Sequence, residues 1–122
     1  MARALVLFAH GARAPGWAAP FERLRALAAA RLPDCSVSLA FLELMSPSLP
    51  DEVAALAARG VDEVTVVPVF LGKGGHLQRD LPALIERLRS AHPGLQIKVA
   101  GPVGEDEAVL AAMAEYCISS LG

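Results

Sequence analysis

The sequence predicts an open four-stranded parallel α/β sheet with helices on both faces, a β-α unit repeated four times in a single domain over residues 1–122. Three observations lead there. Short apolar runs alternate with longer segments whose apolar residues recur at helical spacing, the mark of βαβ units. The runs are apolar nearly throughout, as strands covered on both faces are. Each run leads into a loop marked by glycine or proline, where the chain can turn.

The first strand is Leu5 to Ala9. A loop over 10–17 follows, and Pro20 opens a helix whose apolar stripe is Phe21, Leu24, Leu27 and Ala28, with proline suited to the first turn because its missing N–H has no partner there anyway. Pro33 stops it. The second strand is Ser36 to Leu42, alternating at first and then apolar. Ser48 and Asp51 are spaced like a capping box ahead of Val53, Leu56 and Ala57, and Gly60 suits the position after the helix. The third strand, Val64 to Leu71, is the strongest β signal. Pro68 within it has no ladder hydrogen to donate, so regular pairing is expected to end near it. A loop over 72–75 leads to a helix bearing Leu81, Leu84, Ile85 and Leu88, closed by His92-Pro93-Gly94. The fourth strand is Gln96 to Ala100. After Gly101 to Gly104, the acidic Glu105, Asp106 and Glu107 suit a helix N-terminus, and Leu110, Met113, Ala114 and Cys117 form the last apolar stripe.

Composition narrows the function. Hydrophobic residues make up 54% of the 122, which excludes intrinsic disorder. The net charge of −2 lacks the basic excess of a nucleic-acid binder. No stretch approaches the ~20 apolar residues of a membrane span, and the N-terminal run is too short for a secretory signal. Cys35 and Cys117, the only cysteines, form no zinc pattern and are expected to be reduced, partly buried thiols. A cytoplasmic protein is expected.

Chemistry-bearing residues collect at the predicted carboxyl ends of the strands, where open parallel sheets bind ligands. His10, Gly11 and Arg13 follow the first strand. Glu43 and Ser46 follow the second. Leu71, Gly72, Lys73, Gly74, Gly75 and His76 close the third, and Arg79 and Asp80 come next. Two imidazoles delivered to one edge can ligate a borderline metal and accept protons near neutral pH. Gly11 would let a flat ligand approach the backbone. The glycine run before His76 reads equally as an anion-holding nest or as a wall around a planar ligand, and Glu43 equally as a site carboxylate or a solvated one. Trp17 reads as a pocket wall or as helix-entry packing.

The blocks Leu7-Phe8-Ala9-His10-Gly11-Ala12-Arg13, Phe41-Leu42-Glu43 with Pro47, and Pro68-Val69-Phe70-Leu71-Gly72-Lys73-Gly74-Gly75-His76 with Asp80-Leu81-Pro82 resemble the short class II tetrapyrrole metallochelatases, of the CbiX type and related to SirB-type ferrochelatases. The resemblance runs over nearly the whole chain. It implies insertion of a divalent metal, Co2+ or else Fe2+ or Ni2+, into a sirohydrochlorin-type tetrapyrrole, with no organic cofactor. It implies that His10 and His76 hold the metal and that His10 accepts a proton. It further implies that Arg13, Glu43, Ser46, and Leu71 with Gly72, Lys73, Gly74 and Gly75 contact the substrate. The family usually has serine where Ala12 stands, so one hydroxyl is missing. Long members hold their site between two similar halves, and this chain matches one half. A homodimer is therefore expected, with neither nucleic acid nor membrane as partner. Two other classes remain at this stage. A metal or tetrapyrrole carrier would use the same residues without turnover. A histidine-dependent phosphotransfer enzyme would share the histidine-glycine pair, although position 9 is alanine where such enzymes have arginine.

Overall fold

The sheet is built around β1 (Arg3–Ala9), whose alternate side chains enter two different cores. The computed structural model describes residues 2–72 and 75–122, with the backbone alone at 75–78. The elements run β1, α1 (Ala19–Ala30), β2 (Cys35–Phe41), α2 (Leu49–Ala58), β3 (Glu63–Pro68), α3 (Gly75–Ala91), β4 (Gln96–Val99), a 3-10 turn at Val103–Glu105, and α4 (Glu107–Ser119). All pairings are parallel and the strand order is β2-β1-β3-β4. The doubly wound fold expected from the alternation is therefore present.

One face carries Ala4, Val6 and Phe8 of β1, Val64 and Val66 of β3, and Ile97 of β4. They pack with Leu49, Val53 and Leu56 of α2 and Ile85 and Leu88 of α3. The spacing of the α2 trio places all three on one helical stripe, and all are fully buried. Ser48 caps that helix by accepting a 3.2 Å hydrogen bond from the Asp51 N–H. On the other face, Leu7, Ala9, Leu39, Phe41 and Val69 pack with Trp17, Phe21 and Val103. Here α1 lies over β2 and β1.

The structure shortens β3. Pairing ends at Pro68 rather than Leu71, and the register explains why proline is tolerated. The Val69 N–H donates to Phe8 of β1, whereas the Ala100 N–H donates to Val66. Alternation therefore turns the Pro68 nitrogen toward β4, which has ended at Val99, so no ladder bond is lost.

Two other expectations are corrected. Cys117 is exposed rather than partly buried, while Cys35 is half-buried. The stripe on α4 does not join the core, since α4 contains no buried residue and, among the described residues, its substantial contacts are with the 3-10 turn. Among the described residues no helix is long and apolar enough to cross a membrane.

Candidate active site

The carboxyl ends of β1 and β2 are laced together by backbone. The Leu42 N–H donates to Ala9 at 2.9 Å and the Glu43 N–H to His10 at 3.1 Å. Gly11 is buried with φ +93°, and a β-carbon there would overlap the Glu43 carbonyl oxygen. Only glycine lets the chain turn this closely against the neighbouring loop. The consequence for chemistry is direct. His10 Nε2 and Glu43 Oε1 stand 3.0 Å apart, each side chain about half exposed at 53%. Against an ionised carboxylate, which only accepts hydrogen bonds, the ring is the donor, and an imidazole that donates through Nε2–H carries its lone pair at Nδ1 when it is neutral.

Glu43 is presented by an uncommon turn. The Met45 N–H donates to the Glu43 carbonyl at 2.8 Å, and Leu44 between them has φ +65°. A bond between residues i+2 and i around a positive φ is a strained γ-turn. Leucine carries no sequence signal for it, and strain of this kind concentrates at functional sites.

The third and fourth loops close the edge in the same way. The Gly104 N–H donates to Phe70 at 3.0 Å, and a β-carbon on Gly104 would run into the Leu71 backbone. Between these loops opens a cavity of about 590 Å3 lined by His10, Trp17, Phe21, Leu24, Leu42, Val69, Phe70, Leu71, Gly72 and Val103. Its wall is apolar apart from His10. Trp17 serves both readings offered by the sequence, lining the cavity while its ring packs against Phe21 at 4.7 Å.

Of the residues expected at the site, His10, Leu71 and Gly72 line this cavity, and Glu43 bonds the histidine. Arg13 and Ser46 are exposed on adjoining loops and do not line it. Lys73 and Gly74 lie outside the described residues, as does the side chain of His76, and of Gly75 only the backbone conformation is described. The backbone of His76 falls in the first turn of α3, not in a loop. Among the described residues no group of three metal-binding side chains converges. The residues that sequence reasoning did not assign to the site are the apolar ones: Phe21, Leu24, Leu42, Val69, Phe70 and Val103. Their types read as core, and only their position at the open strand ends marks them as a wall.

Fold and site together define a parallel α/β protein with an imidazole–carboxylate pair at the mouth of an apolar strand-end cleft. Residues 4–119 match the CbiX family, and the chain belongs to it. It is 34% identical over 79 residues to the sirohydrochlorin cobaltochelatase of Sulfurisphaera tokodaii, covering 65% of this chain and 62% of that one. It superposes with a TM-score of 0.86 on the crystal structure of a cobalamin-biosynthesis CbiX protein from Marinobacter aquaeolei, at 34% identity, covering 98% of this chain and 97% of the other. On the sirohydrochlorin chelatase SirB from Bacillus subtilis in complex with cobalt, the TM-score is 0.82 at 26% identity, covering 98% of this chain and 51% of SirB. The match thus spans about three fifths of the cobaltochelatase and half of SirB.

Proposed function

We propose that this protein inserts a divalent metal into a sirohydrochlorin-type tetrapyrrole, acting in the cytoplasm as one domain that works in pairs. The observation that carries the reading is the His10–Glu43 pair at the mouth of an apolar cavity of about 590 Å3. A flat macrocycle suits apolar walls, and family membership supports the substrate class. The relatives named above are a sirohydrochlorin cobaltochelatase and a chelatase solved with cobalt, so cobalt is the first metal to test, with Fe2+ and Ni2+ next.

The chemistry follows from atom balance. Metallation exchanges one divalent cation for two pyrrole N–H protons. Glu43 holds the His10 ring so that Nδ1 presents its lone pair to the incoming metal or a departing proton. When Nδ1 takes the first pyrrole proton, the carboxylate stabilises the imidazolium, which releases that proton to water and so is free to take the second in turn. His76 is the proposed second ligand, supplied from the start of α3. Phe70, Leu71 and Trp17 hold the macrocycle and exclude water. Arg13, on the loop after β1, reaches the peripheral carboxylates of the substrate, Ser46 and Gly72 extend the binding surface, and Lys73, Gly74 and Gly75 are proposed as further substrate contacts on the strength of the family resemblance alone. A second copy supplies the opposite wall of a site that is open on one side.

The test is anaerobic visible-absorbance titration with sirohydrochlorin, followed by Co2+ or Fe2+, for the wild type, His10→Ala and His76→Ala. Multiple turnovers by the wild type that both variants lose are expected. Tight tetrapyrrole binding with no acceleration over the uncatalysed rate would replace the enzyme with a carrier.

A further inference from the structure

We infer that Leu44 is a substrate contact: with Leu71 it carries the tetrapyrrole on the two loops that flank His10, one on each side. This deepens the chelatase reading above and rests on it.

Leu44 is poorly suited to its place by the needs of its own chain. Its φ of +65° belongs to a region that glycine, asparagine and aspartate enter far more readily than leucine. Its side chain is exposed, to 54%. Among the described residues it joins neither apolar cluster, whereas its neighbours Leu42 and Met45 each pack against one. The turn itself is held by backbone. The Glu43 N–H donates to His10 at 3.1 Å, the Met45 N–H donates to the Glu43 carbonyl at 2.8 Å, and Gly11 leaves room for that carbonyl. None of these contacts uses the isobutyl group. Glycine would build the same turn without strain and without exposed apolar surface. Backbone strain concentrates at ligand sites, and here the strained residue is also an exposed apolar one.

Leu71 is the second observation, and it is independent. It is 60% exposed and lines the cavity. The strand order puts the two leucines on opposite sides of the histidine, because β1 lies between β2 and β3. Phe41 ends β2 and Pro68 ends β3. Leu44 and Leu71 each follow their strand end by three positions, while His10 directly follows Ala9, the end of β1. Neighbouring strands run about 4.8 Å apart, so the two flanking strands are about 10 Å from each other. That is the scale of opposite pyrrole rings across one macrocycle. A ring centred on His10 therefore meets Leu44 on one side and Leu71 on the other.

The size of the cavity calls for such a contact. Drug-sized ligands take pockets of about 300–1,000 Å3, and a tetrapyrrole with its peripheral carboxylates is larger than these. The cavity of about 590 Å3 holds part of it, and the rest extends over the rim. On the β2 side Leu42 belongs to the cavity wall and Leu44 does not. Glu43 between them is engaged with His10 at 3.0 Å. Leu44 is thus the apolar surface offered to the part of the ring that lies outside.

A contact and a mere turn-former respond oppositely to substitution. Metal-free sirohydrochlorin is titrated anaerobically into the protein and followed by quenching of Trp17, the only tryptophan, which lines the cavity. Covering the exposed half of a leucine side chain strengthens binding by about five- to tenfold. Leu44→Gly and Leu44→Asn are expected to raise Kd by that factor. Leu44→Met keeps the apolar reach and the backbone cost, and is expected to bind within about twofold of wild type. Glycine and asparagine both relieve the positive φ, so their urea midpoints are expected at or above that of wild type, which separates weak binding from misfolding. Glycine and asparagine variants that bind as well as wild type, or better, overturn the contact and leave the chelatase reading in place. A fall in sedimentation mass on the same substitutions assigns the side chain to a protein surface and overturns the contact as well. A wild type that does not bind sirohydrochlorin overturns both the contact and the chelatase reading.

Discussion

Replacing Gly11 with alanine loads the tightest point of the site in two ways. The backbone there has φ +93°, a conformation that costs an L-residue about 1–2 kcal/mol. The new methyl group also meets the Glu43 carbonyl oxygen, and forcing that strand end outward costs about 1–3 kcal/mol, the usual range for overpacking. Together the loss is roughly 2–5 kcal/mol, set against about 5–15 kcal/mol for a natural domain. Two other glycines separate the contributions. Gly60 has φ +87° with open space where a β-carbon would go, so Gly60→Ala carries the conformational cost alone. Gly104 lies outside the left-handed region but faces the Leu71 backbone, so Gly104→Ala carries the steric cost alone. Urea unfolding followed by circular dichroism, with linear extrapolation, is expected to rank Gly11→Ala as the most destabilised of the three. Its loss should approach the sum of the other two. A Gly11→Ala protein within about 0.5 kcal/mol of wild type, the range of an inconsequential surface change, would refute the reasoning that this turn holds His10 against Glu43.

Leu56 is fully buried beneath the sheet, so Leu56→Ala should lower the unfolding free energy by about 2–5 kcal/mol, measured the same way. The Ser38 hydroxyl is buried without a partner among the described residues. Ser38→Ala removes that penalty and is expected to raise stability by about 1 kcal/mol, seen as a higher urea midpoint at an unchanged slope. Glu43→Gln should change stability by less than about 1 kcal/mol, because the pair is half exposed. It should still lower kcat for metallation, since an amide no longer forces Nε2–H or stabilises an imidazolium; unchanged kcat would remove Glu43 from the mechanism. Arg13→Ala should raise KM for the tetrapyrrole more than it lowers kcat, and the reverse pattern in steady-state kinetics would contradict a binding role.

Much of this protein is written in local sequence. Strand and helix positions follow from side-chain period, and the ends of α2 follow from Ser48 and Gly60, because propensity and capping act over a few residues. That His10 stands at the carboxyl end of a strand was legible for the same reason. The boundary at Pro68 was legible only in part. Its missing hydrogen announced an end to pairing, but which neighbour lost the bond depends on register. Phe70 and Val103 read as core because residue type reports hydrophobicity and not which side of the wall is open.

By itself, then, the sequence determined the β-α alternation, the two-faced apolar strands and a histidine at the sheet edge, all set by short-range chemistry. Only the tertiary structure decided the strand order β2-β1-β3-β4, which brings His10 within 3.0 Å of a carboxylate 33 positions away. Only there does Leu44 adopt its strained turn, held by the backbone of neighbouring loops. And only there does α4, whose stripe promises a core helix, stand clear of its own sheet, because hydrophobic periodicity reports a tendency toward burial and not where in the fold the helix is placed.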